Sequence, residues 1–144
     1  MVISYEINIK NMKQEDKELL IQDLCARLPY GVKIKTSYDK IDEPIELRFI
    51  NPRNESFAIG GDFTLISGLD FDTYECKPYL FPLSSMTEEQ NKEFALLQTD
   101  VHISGFLFAS DCSNMIDWLN KNHFDYRGLI PMDLANDATG LNIY

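Results

Sequence analysis

The sequence predicts an α+β fold: an antiparallel sheet of about five short strands with two or three helices packed on one face. Three observations carry this. Short alternating segments separated by turn signals fill residues 32–66, an amphipathic stretch of helical period precedes them, and two segments with helix-start signals follow. At 144 residues the chain is long enough for one domain with a real core and too short for two ordinary ones, so 1–144 is read as a single α+β domain.

Taken in order, residues 2–9 alternate, with Ile3, Tyr5, Ile7 and Ile9 on one side, which predicts a half-buried strand. Asn11 with Gln14 resembles a capping pair, and from about residue 14 to 28 the set Leu20, Ile21, Leu24, Cys25 and Leu28 forms a stripe able to lie on a sheet. Pro29-Tyr30-Gly31 ends that helix. Val32, Ile34 and Thr36 alternate with lysines as a second strand, and 38–44 is polar and turn-like. Residues 45–50, 56–59 and 63–66 read as three strands joined by Asn51-Pro52-Arg53-Asn54 and Gly60-Gly61, an antiparallel meander. Residues 70–82, aromatic, acidic and holding two prolines, read as a loop with at most a short edge strand.

Thr87-Glu88-Glu89-Gln90 is a capping box and starts a helix expected to reach about Gln98. The run 101–109 fits strand or helix. A further helix is expected over 113–122, capped by Ser113, aiming Ile116, Leu119 and the Trp118 ring at a core and ending on a left-handed Asn122. Phe124, Tyr126, Leu129 and Ile130 then supply bulk, while Asp125 and Arg127 can pair with each other or with neighbours. The stretch 117–131 reads as a clamp. A helical turn is expected at 131–135, then an ordered or fraying tail.

Apolar residues at 44% and charged residues at 25% are those of a folded chain. No apolar run approaches the roughly 20 residues of a membrane span, and the start of the sequence lacks a basic region followed by an apolar stretch, so no membrane role and a cytoplasmic address are expected. Three widely spaced cysteines favour reduced thiols, Cys25 and Cys112 as small buried hydrophobes. The net charge of −10 disfavours nucleic acid and favours a basic protein partner. Between Arg53 and Lys92 the only base is Lys77, against seven carboxylates.

A catalytic set can be assembled from Cys25 or Cys112, His102 or His123, and Asp117 or Asp125, but no spacing demands it. Its sharpest form is a hydrolase-like or nuclease-like site at His123, Asp125 and Arg127. Asp70, Asp72 and Glu75 alternate as calcium ligands do, yet the loop lacks the glycine and the remaining oxygens of such a site, so neither metal nor cofactor is called for. Ser84-Ser85 lacks the glycines of a nucleophile elbow. The acidic-aromatic run of Asp70, Phe71, Asp72, Tyr74, Glu75, Tyr79 and Phe81 is the candidate binding surface, weighed against the plainer reading that these rings cover the sheet.

Residues 24–32 (LCARLPYGV), 77–87 (KPYLFPLSSMT), 117–120 (DWLN) and 123–130 (HFDYRGLI) resemble a family of uncharacterised proteins encoded by phages, prophages and mobile elements of gut Bacteroidetes. The likeness is poor over 39–69. In that family the position of Phe81 is often Arg, which puts an anion-binding role there in doubt. The resemblance implies an origin, a small accessory protein acting inside a bacterial host cell, and supplies no activity or catalytic residue. A non-enzymatic interaction module is therefore expected, with the enzyme above and an acidic DNA mimic as alternatives.

Overall fold

The computed structural model describes the backbone of residues 12–61, 63–103 and 109–144, and the side chains of these except 99–103 and 109–111. The strand expected at 2–9 and the Asn11 cap lie outside the described residues. Helix α1 (Gln14–Arg27) opens on Lys13, whose extended backbone makes it the cap residue without a side-chain bond. Gln14 is thus the first helical residue. Leu20, Ile21 and Leu24 are buried as the stripe requires. Cys25 is exposed, a correction to its expected burial, because the buried face runs through Lys17, Leu20, Leu24 and Arg27, spaced three, four and three apart. Pro29 lies in a short 3₁₀ turn, and Gly31, at φ +76°, turns the chain away.

The meander forms as expected: β1 (Lys33–Thr36), β2 (Ile45–Asn51), β3 (Ser56–Gly60) and β4 (Leu65–Asp70), each antiparallel to the next. β4 begins two residues later than the sequence suggested. Gly60 turns at φ +153°, where a Cβ would collide with the Thr64 carbonyl, and Phe63 stands in solvent before the strand starts. A larger correction is β5 (Cys76–Pro82). The expected loop is a seven-residue interior strand, antiparallel to β1 and parallel to two stubs, β6 (Phe124–Asp125) and β7 (Asn136–Asp137). Pro78 precedes the parallel pairing, which begins only at Tyr79. Among the described residues the sheet order is β4-β3-β2-β1-β5-β6, with β7 also on β5, seven strands where about five were expected.

Helix α2 (Glu88–Ile103) opens on the capping box: Thr87 Oγ1 accepts from the Gln90 N–H, and Gln90 Oε1 accepts from the Thr87 N–H. It runs five residues past the expected end, which resolves 101–103 as helix; 104–108 lie outside the described residues. Helix α3 (Ala109–Lys121) starts earlier than predicted, so Ser113 is inside it and caps nothing. Leu119 is buried, while Ile116 is 39% exposed instead of facing a core. The left-handed residue at its end is His123 (φ 63°), one position after Asn122.

Leu20, Leu24, Val32, Ile34, Leu47, Phe57, Ile59, Leu80 and Leu129 form the core between α1 and the sheet. Among the described residues no helix is long and apolar enough to cross a membrane.

Candidate functional site

The residues singled out in the acidic-aromatic run do not stand together as an open surface. Phe71 and Tyr79 are buried, and Phe71 packs against Phe57 with ring centroids 4.9 Å apart. Tyr74, half-buried, meets Tyr38 edge-on, and Phe81 lies between Phe124 and Tyr144. The carboxylates are engaged as well. Asp70 Oδ1 accepts from the backbone N–H groups of Asp72 and Thr73; partial burial opposes ionisation there, but these bonds and one from the Thr73 side chain hold the carboxyl below its usual range. Both oxygens of Asp72 bind the Lys17 ammonium, at 2.8 and 2.9 Å, and Glu75 Oε1 sits 3.3 Å from Lys77 Nζ. Among the described residues no group of three or more His, Cys, Asp or Glu could hold a metal ion.

The clamp is built around a charge network that α1 inserts into the interior. Asp23 and Arg27, one helical turn apart, are both fully buried. Arg27 Nε and Nη2 donate to the two Asp23 oxygens at 2.8 and 3.1 Å, and Nη2 also donates to the Phe124 carbonyl at 2.7 Å, which ties the helix to β6. Arg127 Nη1 donates to Asp23 Oδ1 at 2.8 Å and to the Tyr126 hydroxyl at 2.7 Å. The Tyr126 hydroxyl donates to Asn120 Oδ1, and both guanidinium groups lie against its ring. One carboxylate thus serves two guanidinium groups, and the network carries a net positive charge.

His123, Asp125 and Arg127 have separate structural partners. Asp125 accepts from the backbone N–H groups of Leu129 and Ile130, at 2.8 and 2.9 Å, fixing the turn that leads out of β6. Arg127 goes to Asp23. The His123 ring stacks on Tyr144 at a centroid distance of 3.5 Å, with its Nδ1 buried and unpartnered. Burial first, and the Arg27 charge second, bring its pKa down to about 4, so the imidazole is neutral at neutral pH. Tyr144 closes this corner: its hydroxyl donates to the Tyr79 carbonyl at 2.8 Å and accepts from the Lys33 N–H at 2.9 Å, and burial pushes its pKa up to about 12. Trp118 stacks on Phe124, and its indole N–H reaches Glu93 on α2.

Sequence reasoning placed the clamp, Asn120 included, and missed its other half, the buried Asp23 and Arg27. An Asp and an Arg four apart on a helix ordinarily read as an exposed pair. The available signal was that Lys17, Leu20, Leu24 and Arg27 share one face.

Lys17, Lys77 and Arg127 have side chains only 7, 12 and 20% exposed, and Arg27 has none. Asp23 and Asp125 are the only buried carboxylates among the described residues. Counted the same way, the buried cations among the described residues are Lys17 and Arg27, so the buried charges balance and the formal −10 is left to the rest of the chain. No family model, curated protein or solved structure matches the chain.

Proposed function

We propose that this chain is a non-enzymatic interaction module that binds a basic protein partner through its negatively charged exterior. In keeping with the resemblance of its sequence, we assign it a phage or mobile-element origin and a place of action inside a bacterial host cell. The observation that carries the reading is the net charge of −10, which burial does not offset, since buried Lys17 and Arg27 are balanced by buried Asp23 and Asp125. The outward result is a field that draws cationic surfaces and repels phosphate backbones.

Capture on the immobilised chain from host lysate tests this. A basic partner held in stoichiometric amount at low salt and released as salt is raised is the expected result. Failure to hold any partner at any salt concentration, or retention of partners without a basic surface, would overturn it.

A further inference from the structure

An open groove of about 400 Å³ runs between α1 and the turn joining β2 to β3. Its helical wall is made by Gln14, Glu18, Ile21 and Cys25, one face at spacings of four, three and four; Pro52 and Glu55 form the opposite wall. Ile21 and Pro52 give it apolar ground, and a carboxylate stands on each side. The Glu55 backbone has the left-handed φ of 53°, uncommon for a side-chain-bearing residue.

The contacts between the walls point to the occupant. Gln14 Nε2 donates to Glu18 Oε1 and to Glu55 Oε2, each at 3.3 Å, so a neutral amide stands between two anions on long bonds. A charged donor in that place forms shorter bonds of about 2.7–2.9 Å and roughly twice the strength. Lys17 supplies only part of the compensation. It lies 3.2 Å from Glu55, while its shorter contacts, 2.8 and 2.9 Å, go to Asp72.

We infer that the groove seats an arginine side chain of the basic partner, its stem on Ile21 and Pro52 and its guanidinium between Glu18 and Glu55, displacing the Gln14 amide. A guanidinium fits better than an ammonium because its planar fork carries donors on separate edges, which two carboxylates facing each other across a groove can engage together. This inference rests on the acidic-module reading and assigns it a surface.

Cys25, exposed on the groove wall, allows a direct test by disulfide exchange on the native chain. Short peptides with one cysteine held as a mixed disulfide with a small thiol, and carrying either arginine, lysine, glutamine or glutamate, are equilibrated with the protein in a low concentration of that small thiol; the Cys25 thiolate attacks the peptide sulfur and the small thiol leaves, and occupancy at each cysteine is read by mass spectrometry. Cys112, partly exposed on α3, reports general attraction to the acidic protein. The arginine peptide is expected at Cys25 several-fold over the glutamine and lysine peptides, after normalisation to Cys112. The preference should vanish in Glu18→Gln/Glu55→Gln and fall as salt is raised. Equal occupancy by arginine, lysine and glutamine peptides in the native chain overturns the inference without recourse to any variant, as does a preference that survives the double substitution. A basic partner captured equally by the native chain and by that double variant would sink the groove and leave the acidic-module reading standing.

Discussion

The two ends of α1 are tied to the rest of the molecule by the same device, a helix cation on carboxylates, in opposite surroundings. At the amino end Lys17 reaches Asp72 and Glu55, whose side chains are 64 and 33% exposed. At the carboxyl end Arg27 meets Asp23 with both fully buried, and Arg127 and the Phe124 carbonyl complete the set. Water screens the first contact and competes for its partners. The second has no such competitor, so each group depends on the others for its only compensation. The lesson is that contacts of similar length differ in worth by what happens to the surviving partner when one is removed.

The largest expected effect breaks the dry end. Arg27→Ala or Asp23→Ala should cost about 3–5 kcal/mol in urea unfolding, because each strands a buried charge. The sharper form of the test is the pair Asp23→Leu/Arg27→Met, which removes both charges and should lose less than either single change. If the pair is as damaging as both singles summed, the two charges are energetically uncoupled and the comparison fails.

Next comes Asp125→Ala. One buried and one part-buried backbone N–H lose a charged acceptor, and about 2–3 kcal/mol should go with them. The same measurement on Thr87→Ala, where an exposed cap is lost, should show about 1 kcal/mol.

A smaller effect follows from His123. Its folded pKa of about 4 lies below the ordinary 6.5, so the unfolded chain takes up the proton first and stability falls as pH drops between those values. That shift corresponds to about 3 kcal/mol at most, and partial exposure of the ring reduces it to about 1–2 kcal/mol. Unfolding midpoints of the native chain and of His123→Asn, followed from pH 7 to pH 4, should converge toward the acid side. Parallel curves would show that the imidazole is not held neutral by its surroundings.

The smallest effect belongs to the wet end. Lys17→Met should cost no more than about 1 kcal/mol and the difference should shrink in high salt. A larger, salt-independent loss would place Lys17 with Arg27 and erase the distinction between the two ends.

Much of the scaffold was legible because its signals are local. Val32, Ile34 and Thr36 alternate, Gly60 marks a turn that no other residue fits, and Thr87 and Gln90 cap each other across three positions. The failures come from long-range partners. β5 looked like a loop because Pro78 and Pro82 forbid ladder bonds, and its place inside the sheet depends on residues 124–125 and 136–137, whose pairing no local pattern announces. Cys25 sat on a plausible stripe, but the face that packs is set by where Arg27 finds Phe124, a contact between residues 97 apart. The candidate surface suffered likewise: Phe71 and Tyr79 carry the same composition whether they cover a core or meet a partner, and only packing decides.

The long reach of β5 bears on synthesis. Its first neighbour, β1, precedes it in the chain, but the two parallel stubs and the Tyr144 hydroxyl that holds Tyr79 emerge from the ribosome roughly forty to sixty residues later. During that interval the nascent meander carries an open strand and Arg27 lacks its Phe124 acceptor. Translation itself must therefore hold the half-built sheet in waiting, and a pause in elongation before residue 124 would lengthen the period in which neighbouring nascent chains can stick to one another.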